Sequence, residues 1–244
     1  FNILKSFKNF RRCNKSKIKG IAAGFKLKML ISEKFLLVSL ESWPYQDSIT
    51  PGPSGSICLA EAWIMDLILR EKLLIEGKQL RVIDTNSTGD EYLDEFLTII
   101  KDSKKIRKLN RWVDLLSKRH IYQNYTLALK SLESQGILKF EAKVTARIFY
   151  KFSYDFTKPE VKQSLLEQIQ KVFIDNVDPD TELLCLLSLI RFSSLYKVCI
   201  PKEYSKAAKL RIEDLLRSGN YDPSLLEMIS KIKKAYRSTL SSRY

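Results

Sequence analysis

The sequence contains little of what most metal-binding proteins need. It has one histidine, His120, and four dispersed cysteines, Cys13, Cys58, Cys185 and Cys199, with no C-x-x-C pair among them. This argues against a zinc site and against a disulfide framework, and it fits a reducing compartment. The longest apolar run, "LLCLLSLI", covers about eight residues, whereas a membrane-spanning helix needs about 20.

Recognisable catalytic motifs are also missing. The chain has no nucleophile elbow, no Walker or Rossmann glycine loop and no H-E-x-x-H zinc motif. Adjacent carboxylates, such as Asp94 with Glu95 and Glu213 with Asp214, fall on helix faces that the hydrophobic pattern predicts to be exposed. We therefore expect that the protein is not an enzyme.

What the sequence does contain favours helices. Glycine and proline are sparse, at 8 and 7 of 244 residues, and the hydrophobic content of 45% is enough for a substantial core. Segments 73–84 and 137–156 carry the strand-like patterns of two short β-hairpins, and Ile106 is predicted to start a helix that continues through Leu116. We predict a mainly α-helical single domain over residues 33–244 with two short β-hairpins.

The positive charge is concentrated at the N-terminal end. Residues 1–32 hold nine of the 42 basic residues and no acidic residue, which leaves 33 basic and 28 acidic residues in the rest of the chain. We predict that residues 1–32 form a basic, flexible arm of the kind that binds anionic surfaces or acidic partners. Its mix of Lys, Ser and Phe is also typical of an organelle transit segment.

The segment "NSTGDEYLDEFLTII", residues 86–100, places a Thr-Gly-Asp turn before an amphipathic helix. Thr88 and Glu91 have the spacing of a capping box, which predicts a structural helix start. A phosphate bound at this helix N-terminus would face four acidic side chains, whose repulsion outweighs the macrodipole of about half a charge. We therefore interpret the turn as a cap. The four acidic residues are Asp90, Glu91, Asp94 and Glu95.

Several segments in order resemble one known family. "EKFLLVSL", "WIMDLILREKL", "TGDEYLDEF", "RWVDLLS", "LESQGIL" and "VKQSLLEQIQKVFID" are similar to segments of the Golgi phosphoprotein 3 family, from about Leu30 to Tyr236. The family motif of threonine-glycine-aspartate, then leucine-aspartate-glutamate, matches positions Thr88, Gly89, Asp90, Leu93, Asp94 and Glu95.

The resemblance implies a peripheral membrane protein on the cytosolic face of the Golgi, with a cytoplasmic pool. Members of the family bind phosphatidylinositol 4-phosphate or an anionic lipid surface and insert a hydrophobic hairpin tip into the membrane. They also hold the cytosolic tails of glycosyltransferases and bind coatomer through an N-terminal basic cluster. Whether this protein forms homo-oligomers stays open. No cofactor is implied. The corresponding coat-binding arm here holds Lys8, Arg11, Arg12, Lys15 and Lys17, and the membrane-insertion candidates are Ile148, Phe149, Tyr150 and Phe152.

The lipid pocket is where this chain departs from the family. The pocket arginines align with Ala60, Tyr122 and Tyr125, which removes charge-assisted phosphate contacts of about 1.5 to 3 kcal/mol each. Three explanations stay open. Other cations, such as Lys118, Arg119, Arg147 or Lys151, replace the arginines; or the family's pocket arginines correspond to other positions in this sequence; or the protein docks on the membrane by charge alone, without selecting a headgroup. We favour docking by charge alone slightly over replacement by other cations. The headgroup candidates are therefore Trp43, Ala60, Lys118, Arg119, Tyr122, Tyr125, Arg147 and Lys151.

Two other functions stay open at this point. The helix and hairpin over "LALKSLESQGILKFEAKVTARIFYKF" are also typical of a winged-helix module that binds nucleic acid. Glu133 and Glu141 flank that element, and the small excess of positive charge beyond residue 32 argues against tracking a phosphate backbone. The other alternative is a purely protein-interaction module without lipid recognition.

Overall fold

The computed structural model describes residues 29–40, 52–145 and 149–243, although not the side chains of 143–145, 149–151 and 198. Within these ranges the chain is mainly helical with two small antiparallel sheets, which confirms the predicted fold class. The elements are α1 (Ile31–Ser39), α2 (Pro53–Leu69), β1 (Leu73–Glu76), β2 (Gln79–Val82), α3 (Glu91–Lys101), β3 (Arg107–Lys108), α4 (Leu109–Lys118), α5 (Ile121–Ser134), β4 (Leu138–Thr145), β5 (Phe149–Phe156), α6 (Pro159–Ile174), α7 (Thr181–Ser193), α8 (Tyr196–Cys199), α9 (Ser205–Leu215) and α10 (Pro223–Ser241).

Helix α2 lies at the centre of the core. Every residue from Gly55 to Leu67 is buried, and the helix packs against α1, α4, α7 and α10. Residues Leu184 to Ile190 of α7 are likewise buried on all sides, as the continuous apolar run in this segment predicts. The helix begins at Pro53, inside a segment whose prolines and glycines predict a loop through Ser56, because proline is well suited to the first helical turn.

A buried carboxylate joins α2 to the start of α1. Asp66 accepts hydrogen bonds from the backbone N–H groups of Ile31 at 2.8 Å and Ser32 at 2.9 Å, and from the Ser32 hydroxyl at 2.8 Å. These bonds satisfy donors that a helix N-terminus leaves without intrahelical partners. Burial raises the pKa of Asp66 to about 7, although the same hydrogen bonds act in the opposite direction.

Both predicted hairpins are confirmed. The first pairs β1 with β2 around Gly77, whose φ of +58° suits glycine, and the second pairs β4 with β5 from Leu138 opposite Phe156 to Thr145 opposite Phe149. The two-residue strand β3 adds to β2, which the sequence did not predict. Because β3 begins at Arg107 and α4 only at Leu109, the prediction that Ile106 starts this helix is wrong, and its side chain is 60% exposed.

The start of α3 is a structural cap, but its residues differ from the predicted ones. Asp90 occupies the N-cap position and accepts a hydrogen bond from the Leu93 N–H at 2.9 Å, so the predicted pairing of Thr88 with Glu91 is wrong. Asp94 instead accepts a bond from the Thr88 N–H at 2.7 Å. Thr88 lies two residues before the cap because the turn passes through Gly89 with a φ of +81°.

The folded body begins earlier than the predicted boundary at residue 33. Met29, Leu30, Ile31 and Ser32 are buried, and the first three belong to the hydrophobic core. The start of α1 therefore belongs to the domain, because its apolar side chains pack against the helical core. In the described ranges, no helix combines the length and the apolar character needed to span a bilayer.

Candidate functional site

The face formed by α5 and the second hairpin contains two of the aromatic candidates in direct contact. The rings of Tyr125 and Phe152 lie 5.2 Å apart, centroid to centroid, at an angle of 54°. Each side chain is only 1% exposed. Phe152, a membrane-insertion candidate, and Tyr125, a headgroup candidate, therefore both lie in the hydrophobic core.

The period of the strand explains the burial of Phe152. Alternate side chains of a strand point to opposite faces, and Phe152, Tyr154 and Phe156 all pack against the helical core. The intervening Ser153 and Asp155 are exposed. A run of aromatic residues in a hairpin therefore marks here the surface by which the sheet is attached to the helices.

Ala60 is also unable to contact a ligand from its position in α2. The side chain is fully buried in the core. Its neighbour Glu61 is fully buried too, and neither carboxylate oxygen has a hydrogen-bond partner in the described part of the chain. Burial raises the pKa of Glu61 well above its ordinary value and so favours the uncharged acid. The headgroup candidate Ala60 therefore lies inside the core.

The remaining described candidates lie where α4 passes into α5. Arg119 is exposed, and no carboxylate of the described residues lies within ion-pair distance of it. The Lys118 ammonium pairs with Asp114 at 2.8 Å, and its side chain is 48% exposed. Tyr122 is partly buried against the core. This corner therefore presents two cations to solvent, one of them partly neutralised.

The other candidates lie outside the described residues and keep their status as predictions. The headgroup candidates Trp43 and Arg147 and the tip candidate Ile148 are in this group. So are the side chains of Phe149, Tyr150 and Lys151. The arm residues complete the group: Lys8, Arg11, Arg12, Lys15 and Lys17.

The described residues of this region carry positive charge but do not form a pocket that would bind a single phosphate group. A phosphate-specific pocket needs convergent donors, preferably guanidinium groups in bidentate geometry. Here the three positions aligned with pocket arginines carry a buried alanine, a partly buried tyrosine and a buried tyrosine. What remains is diffuse attraction by Lys118 and Arg119, which salt screens within about 8 to 10 Å.

Sequence reasoning missed a second group of charged residues. Arg191, Glu213, Lys233 and Arg237 come from α7, α9 and α10 and line one pocket. Because they are distant in sequence and form no motif, only the spacing of Lys233 and Arg237 on one helix offered a signal. None of them was a sequence candidate for binding.

The fold is that of a mainly helical domain in which a helix leads into a hairpin whose aromatic residues pack against the core. The chain matches the family model for Golgi phosphoprotein 3 (GPP34) over residues 31–232. It therefore belongs to this family, and the resemblance stated above is confirmed. Membership suggests an adaptor role in association with the Golgi.

Proposed function

We propose that the protein is a non-catalytic, peripheral adaptor on the cytosolic face of the Golgi membrane. It docks on anionic lipid mainly through charge and does not select phosphatidylinositol 4-phosphate through the pocket that its relatives use. It holds the cytosolic tails of glycosyltransferases, and its basic arm contacts coatomer. The family match over residues 31–232 is the observation that carries the adaptor role.

The chemistry of the α4–α5 corner supports the electrostatic mode of docking. Arg119 is exposed and without a carboxylate partner among the described residues, and Lys118 is half-exposed. Basic residues close to an anionic leaflet contribute about 1 kcal/mol each. With the further positive charge of residues 1–32, such contacts give weak and reversible binding without a specific pocket.

Vesicle co-sedimentation tests the proposal directly. We expect the full chain to bind vesicles containing phosphatidylserine and vesicles containing phosphatidylinositol 4-phosphate equally well when their surface charge is matched. Binding to both should fall steeply as salt is raised, since surface electrostatics are screened. A clear preference for phosphatidylinositol 4-phosphate at matched charge would contradict the electrostatic mode, and binding to neither would contradict membrane docking itself.

The partner interactions need a separate experiment. We expect the full chain to retain coatomer in a pull-down, and a variant with Arg11→Ala and Arg12→Ala to retain less of it, because the arm attracts acidic surfaces through its summed charge. Lys130→Gln, an exposed substitution on α5, is the control. Equal retention by all three proteins would contradict a role of the arm in coat binding.

A further inference from the structure

A pocket of about 120 Å³ lies between the C-terminal end of α7, helix α9 and the second half of α10. Phe192 and Tyr236 lie in its wall with ring centroids 5.7 Å apart. Arg191, Glu213, Lys233 and Arg237 supply its charged groups. The space is sufficient for several water molecules or for one phosphate group. Its walls come from elements that supply none of the headgroup candidates.

Positive charge exceeds negative charge in this pocket. Three cations face one carboxylate, and Glu213 is already engaged by the Arg191 Nη2 at 3.0 Å. That contact lowers the pKa of Glu213 below its ordinary value. The Nε atom of the same guanidinium is buried and has no hydrogen-bond partner in the described residues. Arg191 thus retains a desolvated donor beyond the one used by Glu213.

Lys233 and Arg237 place two further cations one turn apart on α10. Like charges at this spacing repel, which destabilises the unliganded helix. Among the described residues, no carboxylate lies within ion-pair distance of either side chain. Partial burial lowers the pKa of Lys233, and the nearby Arg237, Arg191 and Arg217 lower it further, against an opposing effect of Glu213. The two charges therefore remain uncompensated by any carboxylate of the described residues, with Lys233 partly buried and Arg237 exposed.

The geometry points to a binding site for a phosphate group in this pocket. Three cations less one carboxylate leave two net positive charges, which a phosphate monoester dianion balances and a single carboxylate does not. Guanidinium groups bind phosphate oxygens in bidentate fashion, and the ammonium of Lys233 adds a point charge. The phosphate belongs either to a small soluble molecule or to a lipid headgroup.

Calorimetric titration of the full chain with inorganic phosphate, and separately with pyrophosphate, tests this site. We expect saturable binding at constant ionic strength, and we expect Lys233→Gln and Arg237→Gln each to weaken it about tenfold or more, since each removes a charge-assisted contact. The matched control is Lys234→Gln, which removes an exposed charge from the same helix beside the pocket. It should leave the affinity within about twofold.

Thermal unfolding distinguishes loss of the site from loss of the fold. Without phosphate, Lys233→Gln and Arg237→Gln should melt at or above the wild-type temperature, because each relieves repulsion between like charges. Added phosphate should raise the melting temperature of the wild type and of Lys234→Gln, but not that of the two pocket variants. Equal stabilisation of all four proteins by phosphate, or no saturable binding to the wild type, would overturn the inference.

Vesicles separate the two sources of the phosphate. If the site takes a lipid headgroup, phosphatidic acid vesicles should bind the wild type better than phosphatidylserine vesicles of matched charge, and Lys233→Gln should abolish that preference. If it takes a soluble ligand, the vesicles should bind equally while pyrophosphate binding still depends on Lys233. This site is independent of the proposed docking mode, since it can fail while charge-driven vesicle binding persists.

Discussion

Two regions of the molecule differ in the side chains that line them: apolar and aromatic side chains fill one region, and cationic side chains line the other. In the region between α2, α5 and the second hairpin, positions aligned with phosphate-binding arginines are filled by Ala60 and by Tyr125, which packs against Phe152. In the pocket between α7, α9 and α10, cations gather around an open space. Buried side chains fill the first region, whereas the charged side chains of the second region line an open pocket that a ligand can enter. The positions aligned with the family's pocket arginines and the cluster of cations around Arg191 therefore lie in different parts of this chain.

The largest expected effect follows from forcing the first region to become a pocket. Ala60→Arg should lower the free energy of unfolding by roughly 5 kcal/mol, because it overpacks α2 and buries a charge. For a chain of this size the melting temperature should fall by about 10 °C or more. Ala142→Arg, the same change at an exposed position of β4, is the control and should cost no more than about 0.5 kcal/mol.

The opposite outcome would remove the contrast between the two regions. If Ala60→Arg folds with wild-type stability and gains a preference for phosphatidylinositol 4-phosphate vesicles, the first region is an open pocket that lacks only its arginine. The position of Ala60 would then be accessible to a lipid headgroup.

The next largest effect concerns Phe152. Phe152→Ala should lower the free energy of unfolding by about 3 to 5 kcal/mol, as expected for removing a buried aromatic ring. Urea denaturation measures this, with the exposed neighbour Ser153→Ala as a control expected to stay within about 0.5 kcal/mol. A variant of unchanged stability that binds vesicles less well would place Phe152 at the membrane and not in the core.

Local sequence signals predicted most of the fold. Helical periodicity and the turn residues located the buried helix α7 and both hairpins, because these signals are local. The hydrophobic pattern wrongly predicted that a helix starts at Ile106, because the next residues form β3 and pair with β2. The capping pattern wrongly predicted Thr88 as the N-cap, because the turn at Gly89 makes Asp90 the N-cap residue. In both places a contact with another segment or a turn geometry changed the boundary.

The candidate site could not be predicted from local sequence patterns, because tertiary packing decides which side chains face the core. The aromatic residues of β5 indicate a hairpin, but a strand presents alternate residues to opposite faces, and only the packing shows that Phe152 faces the core. The pocket around Arg191 could not be predicted because its residues meet through the packing of α7, α9 and α10. Family motifs predicted a headgroup region, and two of its candidates, Ala60 and Tyr125, are buried in the core.

The smallest expected effect tests whether the first region contributes attraction without a pocket. Arg119→Gln should weaken binding to phosphatidylserine vesicles about fivefold at low salt, which corresponds to about 1 kcal/mol for one basic residue near the surface. Lys118→Gln should weaken it less, because Asp114 already neutralises part of that charge at 2.8 Å. Lys130→Gln, exposed elsewhere on α5, is the control, and co-sedimentation over a series of salt concentrations is the measurement. If all three variants bind like the wild type, this corner does not face the membrane, and the attraction must come from elsewhere in the chain.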